Sequence, residues 1–545
     1  MLTILIADQP LDLSDDLSVS LNLKSPLFND VGDYSFPFKV PTTVRNMAIL
    51  GWKNRLASTR SIYETYDGSI RWNGMVLFVG QIRIKTASDK SFEGTIYINK
   101  GNFNYEVRDL MLDRVDFGMK SFASDQEAVD YFNWSLTHFY PEVDFSLPEI
   151  SNVDFFDPQA TNPELMSYNH IFSDGWLHKT TSDGTQRTIL IPFLYLKFVL
   201  NKLAENFGYR LQDEFFTSST ELSRLVIYNS VNLSEVIFGL QQLYYCRLLP
   251  KVKVSEFISG LEKWFNCCFL ADSKQRVVRI VSNKDVLLRS EVVEFSKNVL
   301  TISQEIPDQI TGFRFLLGPD SGDKVYQAQL DAEKGMTDYI KGAVQSFSDI
   351  PPYPFTWLGD IYYVVDTNQW WVLGVNGITF LIEWQQLPAG PVLTDKFFYK
   401  WGDDKNKYET IFSSLSDKYI VVSCGNPGTD KDKVTPRLFY VGMVSVGGWG
   451  SPAHLRGLAN NGNLSLRYTG SSGLFNLYWK DWVNWIMDTR KSVKIEKQMD
   501  FIELKELDFT KRYRINGINY LISEISVTLN KSSIKSAQLK CFTAP

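Results

Sequence analysis

Catalysis by side chains needs a nucleophile, a base and a charge stabiliser held together. The sequence offers few candidates. It has four histidines, His138, His170, His178 and His454. His170 and His178 lie eight residues apart with Asp174 between them, a spacing that a metal-binding loop can use. Two imidazoles on a polar loop are more simply read as solvated. Carboxylates pair at Asp15-Asp16, at Asp403-Asp404 and at Glu503 with Glu506. A glycosidase needs two of them facing each other across a cleft, and surface charge is the simpler reading. There is no Gly-x-Ser-x-Gly elbow and no His-Glu-x-x-His helix. Gly447-Gly448-Trp449-Gly450 lacks the Lys that follows a phosphate loop and reads as a turn. The five cysteines, Cys246, Cys267, Cys268, Cys424 and Cys541, are odd in number with two adjacent. They give neither a disulfide framework nor a zinc spacing. The expectation is a protein that is not an enzyme, with no cofactor and no metal.

Aromatic residues are the abundant class, with 37 Phe, 26 Tyr and 14 Trp in 545 residues. Trp357, Trp370 and Trp371 stand in a stretch dense in aromatics and turns, from 351 to 401. Trp370-Trp371 in a strand would place one ring on each face. Packing in a core or at an interface is the first reading, and stacking on sugars or bases the second. Interfaces are enriched in Tyr and Trp, so residues 131–176 and 351–401 are expected at subunit or partner contacts.

At about 150 residues per domain the length implies about three or four domains. Hydrophobic residues make up 44% and charged residues 22%, as in ordinary globular chains. The net charge of −6 gives no overall pull toward phosphates. No apolar run approaches the roughly 18 residues of a membrane span. The start, Met1 to Asp8, has no basic residue before its short apolar run, so it does not read as a signal peptide.

Four helices are expected. Ser124-Asp125-Gln126-Glu127 is a capping box opening the first. Pro192 opens the second, whose stripe is Phe193, Leu196, Leu200, Leu203 and Phe207, with Gly208 as its stop. Ser255 caps the third, through Trp264 and Phe265. The fourth covers Leu474 to Arg490, with Leu474, Tyr478, Trp482, Trp485 and Ile486 on one face. The rest reads as strands, including an all-β inserted region at 318–470. Asp67-Gly68, Asn73-Gly74 and Asn516-Gly517 each supply the positive φ of a hairpin turn.

Laid without a gap over residues 514–541, residues 71–98 place Arg71, Asn73, Gly74 and Ile82 on Arg514, Asn516, Gly517 and Ile525. Trp72, Met75, Phe78, Ile84 and Ile96 then fall on Ile515, Ile518, Leu521, Val527 and Leu539. Either two meanders coincide, or the chain holds two related β-domains, one near each end.

Four segments in order resemble the baseplate hub or tail-tip hub proteins of tailed bacteriophages. They are Tyr34-Ser35-Phe36-Pro37-Phe38-Lys39-Val40-Pro41 with the meander after it; Pro192-Phe193-Leu194-Tyr195 through Phe207-Gly208-Tyr209 to Val226-Ile227-Tyr228-Asn229; Leu249-Pro250-Lys251-Val252-Lys253-Val254-Ser255-Glu256-Phe257; and Leu507-Asp508-Phe509 through Tyr513 to Ile522. They span the chain apart from roughly 318–470. The resemblance implies an α+β, mostly β fold with two tail-tube-like β-barrel domains, intervening helices and the inserted all-β region. The expected domains are 1–120 and 471–545 for the tube-like parts, 121–317 for a mixed α/β hub domain, and 318–470 for the insertion. It implies a homotrimer in the virion tail, assembled in the host bacterial cytoplasm. Its partners would be the tail tube, distal tail proteins, fibre or spike proteins, and DNA in transit through the channel. The alternative is a glycan-binding adhesin or depolymerase using the aromatic clusters and unplaced carboxylates.

Overall fold

The computed structural model describes residues 1–15, 17–28, 35–56, 64–98, 109–148, 190–229, 241–305 and 472–545, with shorter runs between them, most of them strands within 313–466. The fold is α+β and mostly β, with two half-barrel sheets.

The N-terminal part contains β1 (Leu2–Ile6), β2 (Ser18–Lys24), β3 (Ser35–Pro41), α1 (Val44–Ile49), β4 (Thr65–Trp72), β5 (Met75–Ala87) and β6 (Ser91–Ile98). The first sheet runs β1, β4, β5, β6, β3, with a short strand at Gln9–Pro10 outside β1. Alternation in β5 works as the sequence implies. Ile82 and Ile84 are buried, Gln81 and Arg83 are half-buried, and Lys85 is exposed. Asn73 and Gly74 form the turn with φ of 48° and 79°. Asp67-Gly68 is a correction. Gly68 lies inside β4, opposite Ile6 and Gly80. A Cβ there would sit 2.2 Å from Ile82 Cδ1, so the glycine serves close packing rather than a turn.

The central part contains α2 (Asp125–Ser135), α3 (Leu196–Asn206), β7 (Leu225–Ile227), α4 (Val254–Phe265), β8 (Cys267–Asp272), β9 (Val277–Ser282), β10 (Val292–Glu294) and β11 (Val299–Glu305). Ser124 caps α2 by accepting from the Glu127 amide at 3.2 Å. Glu127 reaches back to the Ala123 amide at 2.6 Å, one residue earlier than a regular capping box. Two helix starts differ from expectation. Phe193 and Leu194, after Pro192, pair as a strand with Ser146 and Phe145, so α3 begins at Leu196. The α4 cap is Lys253, not Ser255, and its side chain makes no capping bond. The chain entry there is fixed by backbone bonds, Leu112 N–H to Val252 O and Val254 N–H to Leu110 O.

β12 (Arg437–Ser445) pairs with β7, and Leu438 to Val441 are buried in the central core. The next helix, α5 (Lys480–Asn484), is flanked by π-helical turns at Phe475–Trp479 and Trp485–Thr489. The wider turns shift the buried face. Trp479, off the expected stripe, is 2% exposed and donates to Trp264 O at 3.2 Å.

The C-terminal part contains β13 (Ser492–Lys497), α6 (Phe501–Lys505), β14 (Arg512–Ile515), β15 (Ile518–Asn530) and β16 (Ala537–Thr543). The second sheet runs β10, β14, β15, β16, β13, β11, with β2 also on β15. Its strands therefore come from three separated stretches of chain. Apolar faces of both sheets join one buried core, and β2 lies beside β3 where the sheets meet.

Candidate assembly surface

The ungapped overlay of the two Asn-Gly hairpins is realised in three dimensions. Asn516 and Gly517 have φ of 50° and 81°, within 2° of Asn73 and Gly74. β5 and β15 are each 13 residues long and begin directly after the turn. Ile82 pairs with Ile96, and their counterparts Ile525 and Leu539 pair likewise. The neighbouring pairs also correspond: Gln81 with Tyr97 and Glu524 with Lys540, then Arg83 with Thr95 and Ser526 with Gln538. A fourth strand joins each unit at the same level, Phe36 opposite Ile96 and Ile495 opposite Leu539. Each unit has the order strand, short helix, three strands: β3-α1-β4-β5-β6 and β13-α6-β14-β15-β16. Each helix is capped by a side chain, Thr43 and Asp500. A one-residue slip would turn every apolar side chain outward, so register that agrees beside both turns and along the Ile82 and Ile525 rows, with bulges placed differently between them, marks the units as one structural repeat.

The outward face of the second sheet is polar. One cross-strand row runs Lys24, Glu524, Lys540, Lys494, Ser303. The next runs Asn22, Ser526, Gln538, Glu496, Thr301. Ion pairs balance within it, as between Lys494 and Glu305. Lys494 and Ser492 hold the Glu305 carboxyl below its ordinary value, the Lys494 hydrogen bond being the larger cause. On the first sheet Gln81 donates to Asp67 at 2.6 Å, and Lys39 meets Glu93 at 2.7 Å. β11 is the outer strand of the second sheet among the described residues, and all its residues are exposed or half-buried. Leu300 and Ile302 on it are 57% and 42% exposed.

The units are fastened to the centre by specific contacts. Trp485 packs 6.3 Å from Phe542 between centroids and donates to Thr543 O at 2.8 Å. Trp482 stacks on Phe28 at 5.6 Å. Arg279 on β9 pairs with Asp508 at 3.1 Å. Burial works to raise the Asp508 carboxyl, yet Arg279 and the Thr510 bonds hold it below its ordinary value. Inside the second unit Lys497, fully buried, meets Glu503 at 2.9 Å, the Lys297 carbonyl and the face of Phe295.

Among the candidates of the sequence, Asn73, Gly74, Asn516 and Gly517 occupy equivalent hairpin turns. Trp370 and Trp371 lie in a strand, Gln369–Leu373, opposite Phe315 and Arg314. Trp357, His170, Asp174, Cys424, Asp16, Asp403, Asp404 and the 447–450 glycine run lie outside the described residues. His138 stacks on Trp134 at 4.1 Å. Part of the aromatic run 131–176 is core rather than interface: Phe132 and Phe145 are buried and pack 5.8 Å apart. Among the described residues no group of His, Cys, Asp and Glu is placed to hold a metal ion. No described helix is long and apolar enough to cross a membrane. Met75 and Ile518, paired by the overlay, are quasi-equivalent apolar tips, 49% and 50% exposed; their exposure was not foreseen.

No family model matches the chain, and no curated protein matches it. Among solved structures, the chain is similar to the prophage MuSo2 43 kDa tail protein from Shewanella oneidensis, at 8% identity and a TM-score of 0.34, over 100% of this chain and 98% of that one. It is also similar to a tail protein from Neisseria meningitidis MC58, at 7% identity and a TM-score of 0.28, over 99% and 95%. At such scores the likeness carries no functional weight.

Proposed function

We propose that the chain is a non-enzymatic structural component of a bacteriophage tail. In this reading it is a tail-tip or baseplate hub that assembles as a homotrimer. It joins the tail tube to distal tail, fibre or spike proteins and lines the channel through which DNA leaves. The observation that carries the reading is the repeat, two β-sheet units of the same strand order within one chain, in the same register along the Ile82 and Ile525 rows. Three such chains supply six quasi-equivalent units, and six units can meet a sixfold tube without a symmetry clash. The exposed β11 edge suits this role, since an open strand edge is a template for contact with another chain. The polar face suits it too. It mixes Lys24, Lys540 and Lys494 with Glu524, Glu496 and uncharged Asn, Ser, Gln and Thr side chains, as a water-filled channel lining would.

The test is the mass and shape of the purified full chain. A trimer by light scattering, with rings in negative stain, is the expected result. A strict monomer at high protein concentration, with no rings in the images, would overturn the reading.

A further inference from the structure

We infer that β11 joins two copies of this chain, its free side taking the edge of β5 in the first unit of the next copy; the inference rests on the ring reading above. Its model is a junction inside one chain. In sequence β2 is the strand before β3, and β11 is the strand of the second sheet before β13, with residues 306–491 inserted between them. β2 is engaged on both sides. It pairs with β15 over Glu524–Asn530, and it lies beside β3 of the first sheet. Its apolar side chains Val19, Leu21 and Leu23 are buried in the core that the two sheets share. β2 is thus the strand that joins the first unit to the second.

β11 holds the corresponding place and, among the described residues, pairs on one side only. It lies antiparallel to β13, with Ile302 opposite Ile495. That cross-strand row continues through Leu539 and Ile525 to Leu23, all of them buried. Ile302 ends the row on the apolar face of the sheet, yet it is 42% exposed, and Leu300 at the adjoining bulge is 57% exposed. A groove of about 520 Å³ opens along the same face, lined by Ile302, Val493, Ile518 and Tyr520 with polar neighbours. The apolar face that β2 closes between the units therefore runs out uncovered at β11. The first unit holds the matching edge. The overlay places Glu524–Asn530, the partner of β2, on Gln81–Ala87 of β5. β4 covers β5 on that side as far as Arg83, opposite Thr65, and no described strand pairs with residues 84–87 there. An open strand edge is a template for another strand, and strand addition covers alternate apolar side chains as it forms. A second copy brings the two edges together as β2 and β15 meet within one chain. The contact is heterologous, so its repetition closes a ring or grows a filament.

The experiment uses the full chain. Ser303 on β11 and Lys85 on β5 are exposed, and each alternates with the apolar face of its sheet. Ser303→Cys and Lys85→Cys chains are coexpressed, purified together and treated with a short bismaleimide. Covalent pairs holding one chain of each kind are expected, with the link mapped to positions 303 and 85 by mass spectrometry. Either variant alone should give no more pairs than the unsubstituted chain, which carries the same native cysteines. In sedimentation velocity Ile302→Asp is expected to weaken association by about tenfold or more, with its circular dichroism spectrum unchanged. Leu288→Asp, at an exposed apolar position off both sheets, is expected to leave association unchanged. Rings that form without the mixed pair would overturn this contact while leaving the ring reading in place, and so would undiminished association of Ile302→Asp. A monomeric unsubstituted chain would overturn both readings together.

Discussion

The two β units share topology and register but differ in how they fill equivalent positions. In the first, Gly80 sits in a regular ladder opposite Ile98, and a Cβ there would lie 1.8 Å from the Tyr97 carbonyl oxygen. The overlay places Gly80 on Ser523. In the second unit the register shifts between Ile522 and Glu524, so Ser523 is the extra residue of a bulge. The bulge makes room for a side chain and turns the Ser523 carbonyl toward the Ser25 amide at 2.8 Å. A second contrast lies at the fourth strand. Phe38 is apolar core in the first unit, while the matching place in the second holds Lys497 against Glu503. Topology constrains the apolar alternation and the turn, and leaves each unit free to solve its local packing differently.

Breaking that comparison has a predicted order of effects. Gly80→Ser, which copies the second unit into the first, should be the most damaging. The clash is with backbone, and a loss of about 4 kcal/mol is expected, read by denaturant unfolding. The reverse change, Ser523→Gly, should cost well under half as much, because the bulge needs no side chain. Comparable losses for the pair would mean that the two sites are not differently packed.

Lys497→Ala should follow at about 3 kcal/mol, since it leaves Glu503 and the Lys297 carbonyl without their cation. Lys497→Met, closer to the Phe38 solution, should recover part of that loss, as thermal melts would show. If Met is no better than Ala, the apolar alternative does not fit the second unit.

The Arg279–Asp508 pair should matter less, about 1 kcal/mol for Asp508→Asn, because both side chains keep some contact with water. Its pH dependence has a defined sign. The folded Asp508 pKa is depressed, so its stabilisation is present above the unfolded carboxylate value of about 3.9 and is lost as pH falls through the lower folded value. Unfolding midpoints of the parent and Asp508→Asn should converge in strong acid; a constant gap down to that range would rule this origin out.

Effects of similar size should come from the turns. Asn73→Ala and Asn516→Ala each place alanine at a positive φ, at a cost of about 1 kcal/mol. The two losses should agree within a few tenths of a kcal/mol in matched melts. A clear difference would show that the turns are not equivalent in energy, whatever their geometry.

Much of this was legible in the residues. Ser124 and Glu127 announced α2, Gly208 stopped α3 with φ of 69°, and the alternation around Ile82 and Ile525 carried the repeat. Each signal involves residues a few positions apart, where propensity and turn chemistry act directly. The misreadings share another cause. Pro192 has the chemistry of a helix start, but its successors pair with Ser146 and Phe145, far upstream in sequence. Gly68 looked like a turn residue because nothing local reveals that Ile82 packs against it. Trp479 was missed because two π turns alter the period on which a helix stripe depends.

The assembly surface divides the same way. Composition and local pattern set the two hairpins, their strands, the apolar faces and the absence of a recognised catalytic motif. They could not set that Ser18–Lys24 pairs with Glu524–Asn530, or that β11 forms an outer edge. Those features join residues hundreds of positions apart. Side-chain chemistry permits many such pairings, and only the burial of one common core selects among them.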